Sequence, residues 1–167
     1  MTNESVPAGT PSDGQFLVLF VPTLANPAAP TEAELNATGV VRLTYSITGD
    51  GYTHTVTINK ITADRLTLPN QLQYDGTETD ELSITFPYTN TDADIARLAL
   101  TRGTKGFIVE RPAVANELDP AAGQLVDVMP IQASLALKNA PVKNQELTRT
   151  QALNITGKVH RDVEIVA

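Results

Sequence analysis

Apolar and polar side chains alternate with a two-residue period along most of the chain, which predicts a β-rich fold. The stretch Glu81–Tyr88 alternates as a strand with one buried face requires. Two further alternating stretches cover Val40–Thr48 and Thr53–Ile61. Residues 15–21 are apolar on both faces, which indicates a strand that is covered on both sides.

One segment changes to helical spacing. Ile95, Leu98 and Ala99 form a narrow apolar stripe, Thr91 is placed to cap its start, and Gly103 is placed to end it. The pattern predicts one flanking helix over about residues 92–102.

Glycine, proline and polar clusters predict the turns between these elements. The sequence around Gly49 to Gly51 separates two alternating stretches and predicts a β-hairpin whose tip contains Asp50, Gly51 and Tyr52. The polar segment Pro69–Asp80 contains Pro-Asn and Asp-Gly pairs and is predicted to loop out at the surface. A second long loop is predicted over Pro112–Gly123. Thr31 and Glu34 have the spacing of a capping box, which predicts one turn of helix.

The last third of the chain extends the strand pattern. Strands are predicted over Lys105–Arg111, Leu125–Leu137, Gln145–Ile155 and Lys158–Val166, with Pro130 at an edge or a bulge. Only one helix of useful length is predicted, whereas a parallel α/β fold needs several crossover helices. The sequence therefore predicts an antiparallel β-sandwich or barrel with one flanking α-helix.

Length and composition favour a single domain. A chain of 167 residues with 41% hydrophobic residues is long enough to bury one core. Met1–Gly14 is rich in Ser, Pro, Gly and Thr and lacks an apolar period, so we predict a flexible N-terminal arm and one domain over residues 15–167. No apolar run approaches the roughly 20 residues that a membrane helix needs, and no secretory signal core is present, so neither a membrane partner nor export by a cleaved signal is expected.

The charge distribution disfavours binding to phosphate groups. The net charge is −7, and the first 38 residues contain four acidic side chains and no Lys or Arg. Proteins that bind DNA obtain most of their affinity from Lys and Arg contacts to phosphates. Any double-stranded DNA that this protein meets should therefore pass without specific binding.

The sequence contains no recognisable catalytic, cofactor or metal site. His54 and His160 fit no ligand pattern, none of the five serines lies in a Gly-x-Ser-x-Gly motif, and cysteine is absent. One acidic run places four carboxylates within seven residues, but its glycine spacing is not that of a calcium loop. We interpret it as a solvated acidic turn, which contains Asp75, Glu78, Asp80 and Glu81. An enzyme is not expected, although composition leaves a hydrolase with a dispersed carboxylate pair open.

The order of these segments resembles that of a known family. An acidic arm leads into a strand and a Pro- and Thr-rich connection, and then into residues 39–51, GVVRLTYSITGDG. The close of the chain contains residues 151–159, QALNITGKV, a strand followed by a glycine turn. From Phe16 onward this layout resembles the tail tube (major tail) proteins of bacteriophages with long, flexible, non-contractile tails.

The resemblance implies a structural virion protein, made in the bacterial cytoplasm and incorporated into the phage tail. Such proteins are β-sandwiches with one flanking helix that form six-membered rings, and the rings stack into a tube that conducts DNA during infection. Expected partners are further copies of the chain and the tape measure, tail terminator and distal tail proteins. On this reading Asp50, Gly51 and Tyr52 are candidates for contact between rings, and the acidic run Asp75, Glu78, Asp80 and Glu81 is a candidate for the lumen or an interface.

Two other virion roles remain open. A carbohydrate-binding or decoration β-sandwich domain of a fibre or baseplate would usually expose several aromatic residues for stacking on sugars. Here Trp is absent and aromatic residues amount to 5%. The inner tube protein of a contractile injection system would share the tube fold and differ mainly in a sheath-binding outer surface.

Overall fold

A computed structural model describes residues 5, 6 and 8–167, and within these residues the chain forms nine strands and two short helices. The strands are β1 (Phe16–Val21), β2 (Val41–Arg42), β3 (Tyr52–Ala63), β4 (Leu72–Pro87), β5 (Lys105–Pro112), β6 (Leu125–Ala133), β7 (Leu137–Lys138), β8 (Thr148–Ile155) and β9 (His160–Glu164). The helices are α1 (Glu32–Leu35) and α2 (Ile95–Ala99), and a 3-10 turn covers Thr44–Ser46. Residues 1–4 and 7 of the predicted N-terminal arm lie outside the described residues; the rest of that arm is exposed and contains no helix or strand.

The strands form one antiparallel sheet that folds over on itself. Its order is β2-β1-β5-β6-β8-β4-β3, with β9 also paired to β6 and β7 to β8. The path from β2 to β3 does not close, so the sheet is an open sandwich and no barrel forms. The predicted antiparallel, mostly β fold is confirmed.

Two apolar clusters divide the molecule into layers. The larger cluster lies between β1, β5 and β6 on one side and β4 and β8 on the other, and its central residues include Val18, Ile84, Ile108, Met129 and Leu153. The smaller cluster lies on the opposite face of β1, β5 and β6, where α1 and the C-terminal segment cover it. Successive residues of β1 enter different clusters, which confirms the prediction of a strand buried on both faces.

The first helix forms as predicted, and the second is much shorter than predicted. The Thr31 hydroxyl accepts a hydrogen bond from the Glu34 amide, and the Glu34 carboxylate accepts one from the Thr31 amide at 2.9 Å, which completes the capping box. A helix forms within the predicted range of about residues 92–102, but α2 covers only five of those residues. The buried Asp94 carboxylate accepts hydrogen bonds from the Thr89 amide and from Arg97, so the chain before residue 94 stays outside the helix.

The predicted hairpin between residues 40–48 and 53–61 does not form. Leu43 is buried in the larger cluster, its amide bonds to Val18 of β1, and this contact holds residues 40–48 beside β1. β3 pairs instead with β4, from Tyr52 opposite Ile84 to Ala63 opposite Leu72. Asp50, Gly51 and Tyr52 therefore lie where the chain enters β3, and the true hairpin tip is residues 64–71.

The predicted surface loop over residues 69–80 is also wrong, since β4 begins at Leu72. The Asp75-Gly76 pair marks a β-bulge rather than a turn: two residues of β4, Gly76 and Thr77, lie opposite Asn59 of β3. A β-carbon on Gly76 would lie 2.8 Å from the Asn59 carbonyl oxygen, so the close approach of the two backbones requires glycine here.

The second predicted loop, residues 112–123, lacks helix and strand as expected except at Pro112, which is the last residue of β5. Buried Arg111 holds it through hydrogen bonds to the carbonyl oxygens of Ala115 and Leu118, each at 2.8 Å. Burial lowers the pKa of the Arg111 guanidinium. The hydrogen bonds from Arg111 therefore hold the loop against the end of β5.

We expect Gly51→Ala to destabilise the fold. The Thr85 amide donates a hydrogen bond to the Gly51 carbonyl oxygen, and a β-carbon on Gly51 would collide with the Thr48 hydroxyl and the Thr85 carbonyl oxygen. Forcing a methyl group into such a contact should lower the free energy of unfolding by about 1–3 kcal/mol. Denaturant unfolding measures the change. Gly49→Ala is the matched control, because nothing lies within 4 Å of its β-carbon position; equal effects of the two substitutions would contradict the contact argument.

Candidate assembly surfaces

The outer part of the β3–β4 hairpin extends beyond the sandwich. β4 pairs with β8 only over Leu82–Pro87, whereas its pairing with β3 continues to Leu72. We call residues 56–79 the hairpin extension. Its strand from Val56 to Ala63 is about 25 Å long at roughly 3.4 Å per residue. This two-stranded ribbon has no third strand from the described part of its own chain.

The hairpin extension exposes large apolar side chains on both faces. Near its base, Val56 and Ile58 share the face of the buried β4 residues. Beyond the bulge, Ile61 and Tyr74 lie opposite each other on the other face. At the tip, the Leu66 side chain is 95% exposed. An isolated two-stranded hairpin is marginally stable in water, and a contiguous exposed apolar surface marks an interaction site.

The second edge of β3 adds a further surface for association. Among the described strands, β3 pairs only with β4, so the amide and carbonyl groups along its other edge over Tyr52–Ala63 have no strand partner. An open strand of this length is a template for pairing with another chain.

A polar network anchors the base of the hairpin extension to the sandwich. The Asp80 carboxylate lies 2.9 Å from His54 Nε2 and 2.5 Å from the Arg161 guanidinium of β9. Arg161 also pairs with Glu78 at 2.6 Å. His54 Nδ1 lies 3.4 Å from the carboxylate of Glu110 on β5. These contacts join β3, β4, β5 and β9 at one point.

Tyr52 and Glu110 form the buried end of this network. The Tyr52 hydroxyl donates a hydrogen bond to the Glu110 carboxylate, and the Tyr52 ring packs edge-on against Phe16 at 5.6 Å between centroids. Burial raises the pKa of Glu110, and the nearby charge of Asp127 raises it further, against the hydrogen bonds from Tyr52 and His54. Burial, together with the Glu110 charge, also raises the pKa of Tyr52.

The predicted acidic loop is part of a strand, and most of its charge is paired. Asp75 pairs with Lys60, and Glu78 and Asp80 pair with Arg161. Of the four acidic residues, Glu81 alone makes no ion pair with the described residues. The partner of Glu78 and Asp80 is more than 80 positions away in the chain, which no local pattern in the sequence indicates.

The outward side of β3, β4 and β8 forms a nearly uncharged surface, which we call the hydroxyl face. Strand alternation and register place on it Thr53, Thr55, Thr57, Thr79, Glu81, Ser83, Thr85, Pro87, Thr148, Thr150, Ala152 and Asn154. It contains no Lys or Arg and one carboxylate. The helix α1 lies at the opposite side of the molecule, beyond both apolar clusters. The alternation of Thr53, Thr55 and Thr57 was a visible signal in the sequence.

The described residues contain no cluster of three or more His, Asp or Glu side chains arranged to hold a metal ion.

Asp50 is exposed in the turn before β3, and Gly51 is buried against Thr85. The candidate contact residues 50–52 are thus divided between the turn and the polar network, and their role between rings stays a prediction. No described helix has the length and apolar character needed to cross a membrane.

Glu110→Gln should change how stability depends on pH. The folded-state pKa of Glu110 lies above its ordinary value of 4.5, so its contribution to stability is fully present below that value and is lost as pH rises through the folded pKa. The glutamine does not titrate and keeps an acceptor for Tyr52. We therefore expect the stability of the wild type relative to the variant to fall as the pH rises above about 4.5, measured by denaturant unfolding. A relative gain by the wild type over that range would overturn this assignment.

Comparison with known proteins finds similar solved structures and a matching family, but no matching curated protein. A chain in the cryo-EM structure of the anti-feeding prophage (AFP) baseplate, 6-fold symmetrised, has a similar fold, with a TM-score of 0.54 and 14% sequence identity over 93% of this chain and 97% of that chain. The search of curated proteins gives no match. The model of the family described as phage tail tube protein matches residues 3–167. The chain therefore belongs to the phage tail tube protein family and is a structural component of the virion tail, not an enzyme.

Proposed function

We propose that this protein is the repeating subunit of a tail tube, in which six copies form a ring and stacked rings conduct DNA during infection. Family membership supports this proposal. The structural observation that supports it is the hairpin extension. Its apolar side chains and its unpaired β3 edge require a partner that the described part of its own chain does not supply.

Two kinds of contact follow from the two kinds of exposed surface. The open edge of β3 suits pairing with a neighbour in the same ring, which would continue the sheet from one subunit to the next. The apolar residues of the hairpin extension reach beyond the sandwich and suit contact with another ring. Sixfold order is supported by the 6-fold symmetrised baseplate that contains a chain of similar fold.

The hydroxyl face is the proposed lining of the lumen. Non-specific DNA binding depends on Lys and Arg contacts to phosphates, and this face offers none. Threonine and serine hydroxyls keep the surface wetted without attracting the polyanion. Of the acidic run that is a candidate for the lumen or an interface, only Glu81 lies on this face, because Glu78 and Asp80 lie on the inward side with their ion-pair partners.

The proposed partners are those of a tube. Further copies of the chain form its length, and the tape measure, tail terminator and distal tail proteins are its other proposed partners. A second candidate is the inner tube protein of a contractile injection system, which the likeness to a chain of a prophage baseplate favours. A sheath-binding outer surface would distinguish that system from a non-contractile tail.

Replacing the apolar pair of the hairpin extension should abolish assembly and leave the fold intact. Ile61→Ser with Tyr74→Ser removes two exposed side chains that lie opposite each other on neighbouring strands. We expect rings or hollow tubes of the wild type in negative-stain electron microscopy, and dispersed particles of the double variant with unchanged circular dichroism.

Val142→Ser, on an exposed apolar residue between β7 and β8, is the control and should assemble. A wild type that stays monomeric at high concentration, in salt that screens its charge, would refute the tube. A double variant that assembles like the wild type would remove the hairpin extension from the interface.

The lumen assignment is tested by labelling, because the chain contains no cysteine. Ala152→Cys places a thiol on the hydroxyl face, and Ala122→Cys places one beside α1, where the Ala122 amide bonds to Glu32. In assembled tubes we expect both thiols to react with a small maleimide, and only the Cys at 122 to react with a maleimide carried on a particle too wide for the lumen. The reverse selectivity would place the lumen on the α1 side.

A further inference from the structure

An apolar groove of about 510 Å³ opens between the 3-10 turn and α2. Its lining includes Leu17, Tyr45, Pro87 and Ile95. The Tyr45 side chain is 80% exposed, and Ile95 is half exposed, although both are large apolar residues. The groove is of a size that holds a compact apolar group, and no residue of the hairpin tip of the same chain lines it.

The hairpin tip supplies an apolar group with no partner. Leu66 projects almost completely into solvent, and Leu68, two residues later, is 45% exposed. Thr67 between them has a φ of +64°, a left-handed conformation that holds the tight turn. The tip therefore presents two leucines close together at the end of a long ribbon.

The charges at the two places are complementary. Glu117 lines the groove, is exposed and forms no ion pair with the described residues. The other charged residues of the lining are already engaged, Asp94 by Arg97 at 3.1 Å and Arg42 by Asp119 at 3.2 Å. At the tip, the Asp64 carboxylate accepts a hydrogen bond from the Gln71 amide at 3.0 Å. Among the described residues, the Arg65 guanidinium bonds only to the backbone carbonyl oxygen of Asp64. An unpaired cation at the tip thus matches an unpaired anion at the groove.

We propose that the groove receives the hairpin tip of a second copy of this chain, with Leu66 and Leu68 against Tyr45 and Ile95 and with Arg65 near Glu117. The inference rests on the proposed tube and names the contact that joins its subunits. The tip and the groove are different parts of one surface, so the contact is heterologous and repeats head to tail. Such a contact extends an assembly in one direction and gives it a polarity.

Engineered disulfides test the contact, since the natural chain has no cysteine. Leu66→Cys combined with Ala93→Cys places one thiol at the tip and one on the exposed lining of the groove. A disulfide requires Cα atoms roughly 4.4–6.8 Å apart, so a ladder of covalent oligomers under oxidation reports direct apposition. We expect that ladder on non-reducing gels, and no more than dimers from either single variant.

Leu66→Cys with Ala140→Cys is the matched control, because Ala140 is equally a small exposed residue but lies between β7 and β8, away from the groove lining. Tubes that form without a ladder from the 66–93 pair, or with a ladder from the 66–140 pair instead, overturn the groove as the docking site and leave the tube standing. A wild-type chain that forms neither rings nor tubes refutes the proposed function itself.

Discussion

The architecture depends on the way β6 divides one of its edges between two partners. Over Leu125–Val128 this edge pairs with β9, and over Ile131–Ala133 it pairs with β8. Pro130, which has no amide to donate, lies between the two pairings, and its carbonyl oxygen accepts a bond from Thr156. Because the sheet changes partner at this point, β8, β4 and β3 cross the face of β1 and β5. That crossing creates the larger core. It also places the hydroxyl face on one side of the molecule and α1 on the opposite side.

Local patterns predicted the elements whose partners are fixed by nearby residues. The capping box of α1, the doubly buried β1 and the alternating end of β4 all follow from spacing within a few positions. Pairing between strands did not follow, because it depends on distant contacts. Leu43 bonds to Val18 and leaves residues 53–61 free to pair with β4, and the glycine that looked like a turn at position 76 serves a bulge.

The sequence indicated which charged residues are present at the candidate site, but not how the fold arranges them. The acidic run was visible in the sequence, yet the pairing of Glu78 and Asp80 depends on Arg161, and the burial of Glu110 beside Tyr52 and His54 depends on the folding of the sheet. The β4 half of the hairpin extension was missed because its polar residues resemble those of a loop. The β3 half was predicted as part of the strand over residues 53–61, although with a different partner. Its alternating threonines were the available signal, and in a β-rich chain they indicate a strand with one wetted face.

The bulge opposite Asn59 changes how the hairpin extension meets other molecules. With apolar residues on one face near its base and on the opposite face near its tip, the ribbon is suited to lie between two bodies rather than upon one. In a growing tube of such subunits, a vacancy would leave apolar surface bare on two neighbours at once. Partial rings would then be costly and complete rings favoured, so that growth would advance ring by ring and the tube would keep a regular bore along its length.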